Sequence, residues 1–393
     1  MPMIRITGRK MLSNTRLGRV LMAGIAWLSL PALAEQSMTI TVTKGFGIEL
    51  YASDLEDAKQ LAVGDNGTLF VGSAKAGTIT ALVDSNNDGR VDRRYVVGKG
   101  LENPEAIAFH QGSLYVAMEE KILRYDEIEQ RLRRPGRPKE VYSKLPADYK
   151  KSARTMAFGP DDRLYVAIGA PCNVCESEAP YGSILAIDVN TGASEQVASG
   201  VRTVRGIDWS PRDGKLWFAD IGRDWMGDNL PPDEINRVDN QGMHYGFPYV
   251  HATNVSEPAY EKPENLKVTA PVYELPAHVS PMGMLFYRGT QLPEQYHNQL
   301  LVAENGSWNR SSKIGYQIVV LNVSATGDVT SRETLISFLD GEFPVARPYA
   351  MAMAPDGSLF ISDDLKGNVY RFFYKNEEAQ PVPEALPNQE EQP

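Results

Sequence analysis

The sequence predicts an all-β fold, a six-bladed β-propeller, on three observations. First, six segments repeat one pattern: an apolar strand, a polar turn with Gly or Asp, then a strand of the form Leu-aromatic-Val-Ala. They read LAVGDNGTLFVGSA, AIAFHQGSLYVAME, TMAFGPDDRLYVAIG, GIDWSPRDGKLWFAD, MLFYRGTQLPEQYHNQLLVAE and MAMAPDGSLFISDD. Their second strands pass through Phe70, Tyr115, Tyr165, Trp217, Leu301 and Phe360. Second, most repeats continue into a third strand, as in ILRYD, ILAIDV, QIVVLNV and NVYRFFY. Period-2 strands joined by tight turns pair antiparallel. A small sheet cannot bury both faces alone, so sheets recurring every ~45–60 residues bury one another when set around an axis. Third, one interval, Trp217 to Leu301, is much longer than the others. Insertions of this kind collect on one rim of a propeller, where a site is expected. A tandem of β-sandwiches would leave the recurrence of one strand phrase unexplained.

The long interval holds DNLPPDEINRVDNQGMHYGFPY, Asp228 to Tyr249. Pro231 and Pro232 stiffen its start, and Gly242 and Gly246 permit unusual turns. Asp233 and Glu234 are suited either to ligate a hard cation or to accept backbone N–H groups. Tyr245, Phe247 and Tyr249 offer flat apolar walls.

The chain has 393 residues, 42% of them hydrophobic and 23% charged, ample for a packed core. Residues 1–34 read as a secretory signal. Arg5, Arg9, Lys10, Arg16 and Arg19 precede the apolar run VLMAGIAWLSL, and Ala32 to Ala34 supply small residues before Glu35. The run is too short to span a bilayer, and no later stretch is long enough. Cleavage would take five positive and no negative charges from a formal −10, leaving −15. Such a chain is a poor nucleic-acid binder. Residues 35–375 are expected to form the propeller. The acidic, Pro-rich tail 376–393 lacks the apolar residues to fold.

Two smaller motifs carry chemistry. Cys172 and Cys175 stand in CNVC; in an exported chain the pair reads as a disulfide, with a reactive redox pair as the alternative. The stretch DSNNDGRVD places Asp84, Asn86, Asp88 and Asp92 around Gly89, like the first part of a calcium loop. Its twelfth position is Tyr95 rather than Glu, and a polar turn stabilised by its own side chains is the alternative.

Five stretches together carry a family resemblance: Ala153–Glu176, Gly200–Tyr249, His278–Gly289, Ala303–Val319 and Ala346–Arg371. The phrases PPDEIN, YGFPY and GSWNR within them resemble the glucose/sorbosone dehydrogenase family, the soluble sugar dehydrogenases that use pyrroloquinoline quinone (PQQ). The C-N-x-C pair is similar to the sorbosone branch. The resemblance implies a six-bladed propeller with the quinone over its axis. By motif it implies cofactor contacts from Arg202, His278, Lys313 and Arg347. It also implies Ca2+ held largely by backbone oxygens of Gly222 and Arg223. The implied partners are a small sugar substrate and a periplasmic electron acceptor, in a periplasmic or secreted protein. Lys and Arg suit a tricarboxylate, and a calcium ion can polarise a quinone carbonyl.

The sequence departs from the family where chemistry is decided. The family's proton-abstracting His precedes the R-x-x-F-G-P-D phrase; here Lys150 and Lys151 stand there, and no histidine lies between His110 and His244. The candidate catalytic residues are therefore Lys150, Lys151 and Arg202, and a lysine acts as a base only if its pKa falls toward neutrality. The alternatives are a sugar- or ligand-binding propeller that has lost the base, and a calcium-dependent hydrolase of the lactonase kind.

Overall fold

The computed structural model describes residues 39–104, 106–147 and 154–375. The signal and tail expectations, residues 1–34 and 376–393, lie outside these residues, as do Lys150 and Lys151. Among the described residues no helix is long and apolar enough to cross a membrane.

Six antiparallel sheets stand around an axis. Their innermost strands are Ala58–Val63, Ile107–His110, Arg154–Phe158, Val204–Trp209, Pro281–Phe286 and Pro348–Met353, which open blades 1 to 6 in chain order. Each packs against the inner strands of the two adjacent blades, so the ring closes between blades 6 and 1. The second strands are Leu69–Ser73, Ser113–Ala117, Leu164–Ile168, Leu216–Asp220, Leu300–Glu304 and Leu359–Asp363. They contain all six repeat positions. The outer strand of blade 6 comes from the other end of the chain: Phe46–Ala52 pairs with Asn368–Tyr374, fastening the ring.

The repeat exists because a second strand must bury both faces. Leu164, Val166 and Ile168 pack toward blade 2, while Tyr165 and Ala167 pack toward blade 4. Each interface between neighbouring blades is one continuous hydrophobic cluster. The recurring aromatic always faces the following blade. Phe70 meets Phe109 at 5.9 Å between ring centroids, Tyr115 meets Phe158 at 4.7 Å, Tyr165 meets Trp209 at 5.0 Å, and Trp217 meets Phe286 at 5.4 Å. Each partner sits near the end of the next inner strand. Such a pair contributes about 0.5–1.5 kcal/mol beyond its buried area. Near the axis the inner strands approach too closely for a side chain. A Cβ on Gly283 would stand 2.7 Å from the carbonyl oxygen of Tyr349 on the next inner strand.

The long fourth interval is less irregular than its composition suggests. Asp233–Arg237 is the third strand of blade 4, between Leu216–Asp220 and Tyr273–Leu275. Met243–His244 adds a short parallel strand to blade 3. Tyr245 and Phe247 are buried rather than forming walls, and Tyr245 packs edge-on against Phe218.

Candidate functional site

One rim collects the segments that enter inner strands and leave second strands. Arg202, His278 and Arg347 each lie just before an inner strand, and Gly222, Asn305 and Asp364 lie just after a second strand. A run of hydrogen bonds joins them. Arg202 Nη1 donates to the Gly222 carbonyl at 2.8 Å. The Gly222 N–H donates to Asp233 Oδ1 at 2.8 Å, and Asp233 Oδ2 accepts the Ser280 N–H at 2.7 Å. The Ser280 carbonyl accepts the Asn305 N–H at 2.9 Å. Asn305 Nδ2 reaches Asp364 Oδ1 at 3.4 Å, and Asp364 grips Arg347 Nε and Nη2 at 2.6 and 3.0 Å. Arg202 in blade 4 and Arg347 in blade 6 thus belong to one polar network running through blade 5. His278, two residues before Ser280, places Nε2 2.9 Å from the Gly227 carbonyl, which makes Nε2 the protonated ring nitrogen.

Both arginines already have carboxylate partners. Arg202, its side chain 11% exposed, uses its remaining donors on the Asn173 carbonyl, Asn173 Oδ1 and Asp224 Oδ2, at 3.0, 2.8 and 3.1 Å. The half-buried Lys313 is fixed through its backbone, its N–H donating to Glu342 at 3.2 Å; among the described residues its ammonium makes no ion pair. The Arg223 guanidinium is held by buried Glu257 at 2.8 and 2.7 Å, and His251 Nε2 shares that carboxylate at 3.0 Å.

Behind the rim lie three buried carboxyls, Asp220, Asp233 and Glu234. Burial raises Asp233 to about 7 against the pull of two backbone N–H groups and Arg202. Burial also raises Asp220 and Glu234, which face each other across the strand pair, and each resists the other's ionisation. Asp220 accepts the N–H groups of Arg202 and Thr203. Asp363, at the same strand end in blade 6, accepts the N–H of Arg347 at 3.0 Å. Sequence reasoning missed Asp220, Asp224, Asp363, Asp364, Asn173 and Asn305. A signal was present for two of them, since the repeats of blades 4 and 6 both close on aspartate, in LWFAD and LFISD.

The other candidate metal residues sit elsewhere. The Asp84–Asp92 turn joins the third and fourth strands of blade 1, at the opposite rim from Gly222 and Arg223. Its side-chain oxygens accept hydrogen bonds from within the turn. Asp84 accepts the N–H groups of Asp88 and Gly89, Asn86 Oδ1 accepts that of Asp88, Asp88 accepts that of Arg90, and Asp92 accepts the N–H and hydroxyl of Ser85. Among the described residues no group of three or more His, Cys, Asp or Glu side chains is poised to hold a metal ion. Cys172 and Cys175 are joined in a disulfide.

Fold and site together define a six-bladed β-propeller with an acid-rich polar rim over blades 4 to 6. The chain belongs to the family described as Domain of unknown function (DUF7133), whose model matches residues 32–387. An uncharacterized protein of Borreliella burgdorferi is 32% identical over 360 residues, covering 88% of this chain and 93% of the relative. The fold is similar to that of a Trichoderma reesei Carbohydrate-Active Enzymes Family AA12 protein, whose iodide structure aligns with a TM-score of 0.73 at 19% identity, over 86% of this chain and 98% of that one. It is similar to the holo PQQ domain of pyranose dehydrogenase from Coprinopsis cinerea, with a TM-score of 0.70 at 18% identity, over 86% and 97% of the two chains. It is also similar to the PQQ-bound aldose sugar dehydrogenase of Streptomyces coelicolor, with a TM-score of 0.62 at 19% identity, over 85% and 99%.

Proposed function

We propose that this protein is an exported sugar dehydrogenase of the sorbosone or aldose type, dependent on PQQ and calcium. The observation that carries the reading is the hydrogen-bonded run from Arg202 through Asp233 and Asn305 to Arg347. It joins two of the four motif-derived contacts, Arg202 and Arg347, on the rim that also carries His278 and the Lys313 loop, in a fold similar to that of PQQ-bound sugar dehydrogenases.

The residues suit both groups in kind. The backbone oxygens of Gly222 and Arg223 are hard donors of the sort calcium takes, and the buried carboxyls Asp220, Asp233 and Glu234, which do not group as ligands themselves, would favour a cation beside that turn by ionising. Lys313 supplies a cation for a quinone carboxylate, and Arg347, more open than Arg202, can share its guanidinium with Asp364. When bound, the calcium–quinone pair would accept hydride from the sugar carbon. The chain's own part is then to orient the sugar and take its hydroxyl proton, the role proposed for Lys150 and Lys151. Electrons would leave to a periplasmic acceptor.

Reconstitution tests this. PQQ and Ca2+ added to the apo-protein should shift the quinone absorbance, and a sugar from a panel of aldoses and sorbosone should then reduce a dye. No absorbance shift removes the proposal. A second reading, a sugar- or ligand-binding propeller without redox chemistry, is favoured by one observation. Arg202 and Arg347 are already neutralised by Asp224 and Asp364. Absorbance change without dye reduction by any sugar supports that reading.

A further inference from the structure

Two tryptophans stand exposed where burial would be expected. Trp225 is 69% and Trp308 64% exposed, yet the two indoles touch, 5.4 Å apart and inclined at 79°. They come from different blades: Trp225 follows the second strand of blade 4, and Trp308 follows that of blade 5. Apolar rings this large are normally withdrawn from water unless something holds them out.

The two loops are held. Trp225 has φ +72°, a left-handed conformation costly for a bulky residue. The chain before it is pinned by the Asp224 N–H on Asn173 and by Arg223 on Glu257. The chain after it is pinned by the Gly227 carbonyl on His278. Asp228 is clasped by the N–H and hydroxyl of Ser311, and its carbonyl by Arg310. Both sides of the notch are therefore braced to each other and to the network that carries Arg202 and His278.

We propose that Trp225 and Trp308 form a stacking platform for a pyranose ring at the mouth of the blade 4–blade 5 rim. A pyranose has a face of weakly positive C–H groups that sits on the negative face of an indole, and equatorial hydroxyls that need polar partners at the edge. Two rings at nearly a right angle offer a face and an adjoining wall to such a puckered ring, whereas a flat aromatic would use one indole only. The surroundings are Asp224, Asp228, Asn229 and Arg310, which suit hydroxyls and not an apolar protein or lipid surface. The assignment rests on the sugar reading above and adds the residues that would set substrate affinity.

The test is a titration of wild-type protein, Trp225→Ala, Trp308→Ala and the two Phe variants with D-glucose and with open-chain sorbitol. Indole fluorescence is followed, and PQQ absorbance is read on the same samples. Glucose should quench and blue-shift the wild-type emission, and sorbitol should not. Each Ala variant should weaken glucose binding by about fivefold or more, with Phe restoring most of it. Ala variants that bind glucose, or turn it over, with unchanged affinity overturn the platform even if the quinone chemistry stands. So does the absence of any response to pyranose in fluorescence or kinetics. Quenching that persists in protein unable to take PQQ keeps the platform and removes the dehydrogenase reading.

Discussion

Asn173 meets Arg202 twice: its carbonyl accepts Nε at 3.0 Å and its side-chain oxygen accepts Nη2 at 2.8 Å. The same Oδ1 accepts the Asp224 N–H at 2.8 Å, so one amide fixes both members of the Arg202–Asp224 pair. Asn173 lies inside the loop closed by Cys172 and Cys175. The disulfide therefore acts on the rim through Asn173, and Asn173→Ala should destabilise the protein by about 1–3 kcal/mol, since Arg202 Nη2 and the Asp224 N–H both lose the side-chain oxygen they share while the backbone carbonyl still holds Nε. Reducing the disulfide should lower Tm in the wild type and lower it less in Asn173→Ala, because the two changes act on one contact. Equal shifts in both proteins would separate the disulfide from Arg202.

The buried acids make stability depend on pH. A carboxyl whose folded pKa lies above its unfolded value holds a proton in the fold and not in the unfolded chain, so stability falls as pH rises between those values. For this cluster the window runs from about 4, the unfolded carboxylate value, up toward the highest raised value, that of Glu234 at about 8. Half-buried His244 and buried His251, both lowered by desolvation, act oppositely as pH falls, so a comparison with a variant is needed. Glu234→Gln mimics the protonated acid, and it can pair with Asn236, whose Oδ1 is buried without a partner among the described residues. Melting curves at pH 5.5 and 8 should show a smaller loss of Tm in Glu234→Gln than in wild type. An equal loss would place the pH dependence elsewhere.

Calcium should reverse that loss if it binds as proposed. A cation beside Gly222 and the three carboxyls favours their ionised forms, so added Ca2+ should raise the wild-type Tm more at pH 8 than at pH 5.5. A Ca2+ effect that is the same at both values, or absent, argues against a site there. Asp84→Asn in the opposite-rim turn should leave the response unchanged.

Blade 5 carries its own buried charge. Glu304 is fully buried and accepts Arg332 Nη2 through both oxygens, each at 2.7 Å, with Gln317 as a further donor. Arg332→Ala strands that carboxylate and should cost about 3 kcal/mol in urea unfolding. Adding Glu304→Gln should recover part of the loss.

The axis tolerates no added bulk at Gly283. Its Cβ would meet backbone atoms, the Tyr349 oxygen at 2.7 Å and the Ala350 Cα at 3.0 Å, which cannot swing aside as a side-chain tip would. Gly283→Ala should lower stability by about 1–3 kcal/mol, read as a fall in Tm.

Sequence alone determined the blade count and the positions of Phe70, Tyr115, Tyr165, Trp217, Leu301 and Phe360. A strand buried on both faces must repeat its apolar pattern wherever a blade recurs. The family resemblance singled out Arg202, His278, Lys313 and Arg347; that Arg202, His278 and Arg347 each precede an inner strand is seen only in the fold. Tertiary structure decided what those residues touch. The partners of Arg202 and Arg347 are carboxylates 22 and 17 positions away, set by loop backbone and not by any period. The polar run DEINR became a buried strand because Gly222, Ala252 and Ser280, distant in the chain, bring N–H groups to its two acids. Burial of a charge depends on donors that only the closed ring assembles, and local pattern carries no record of them.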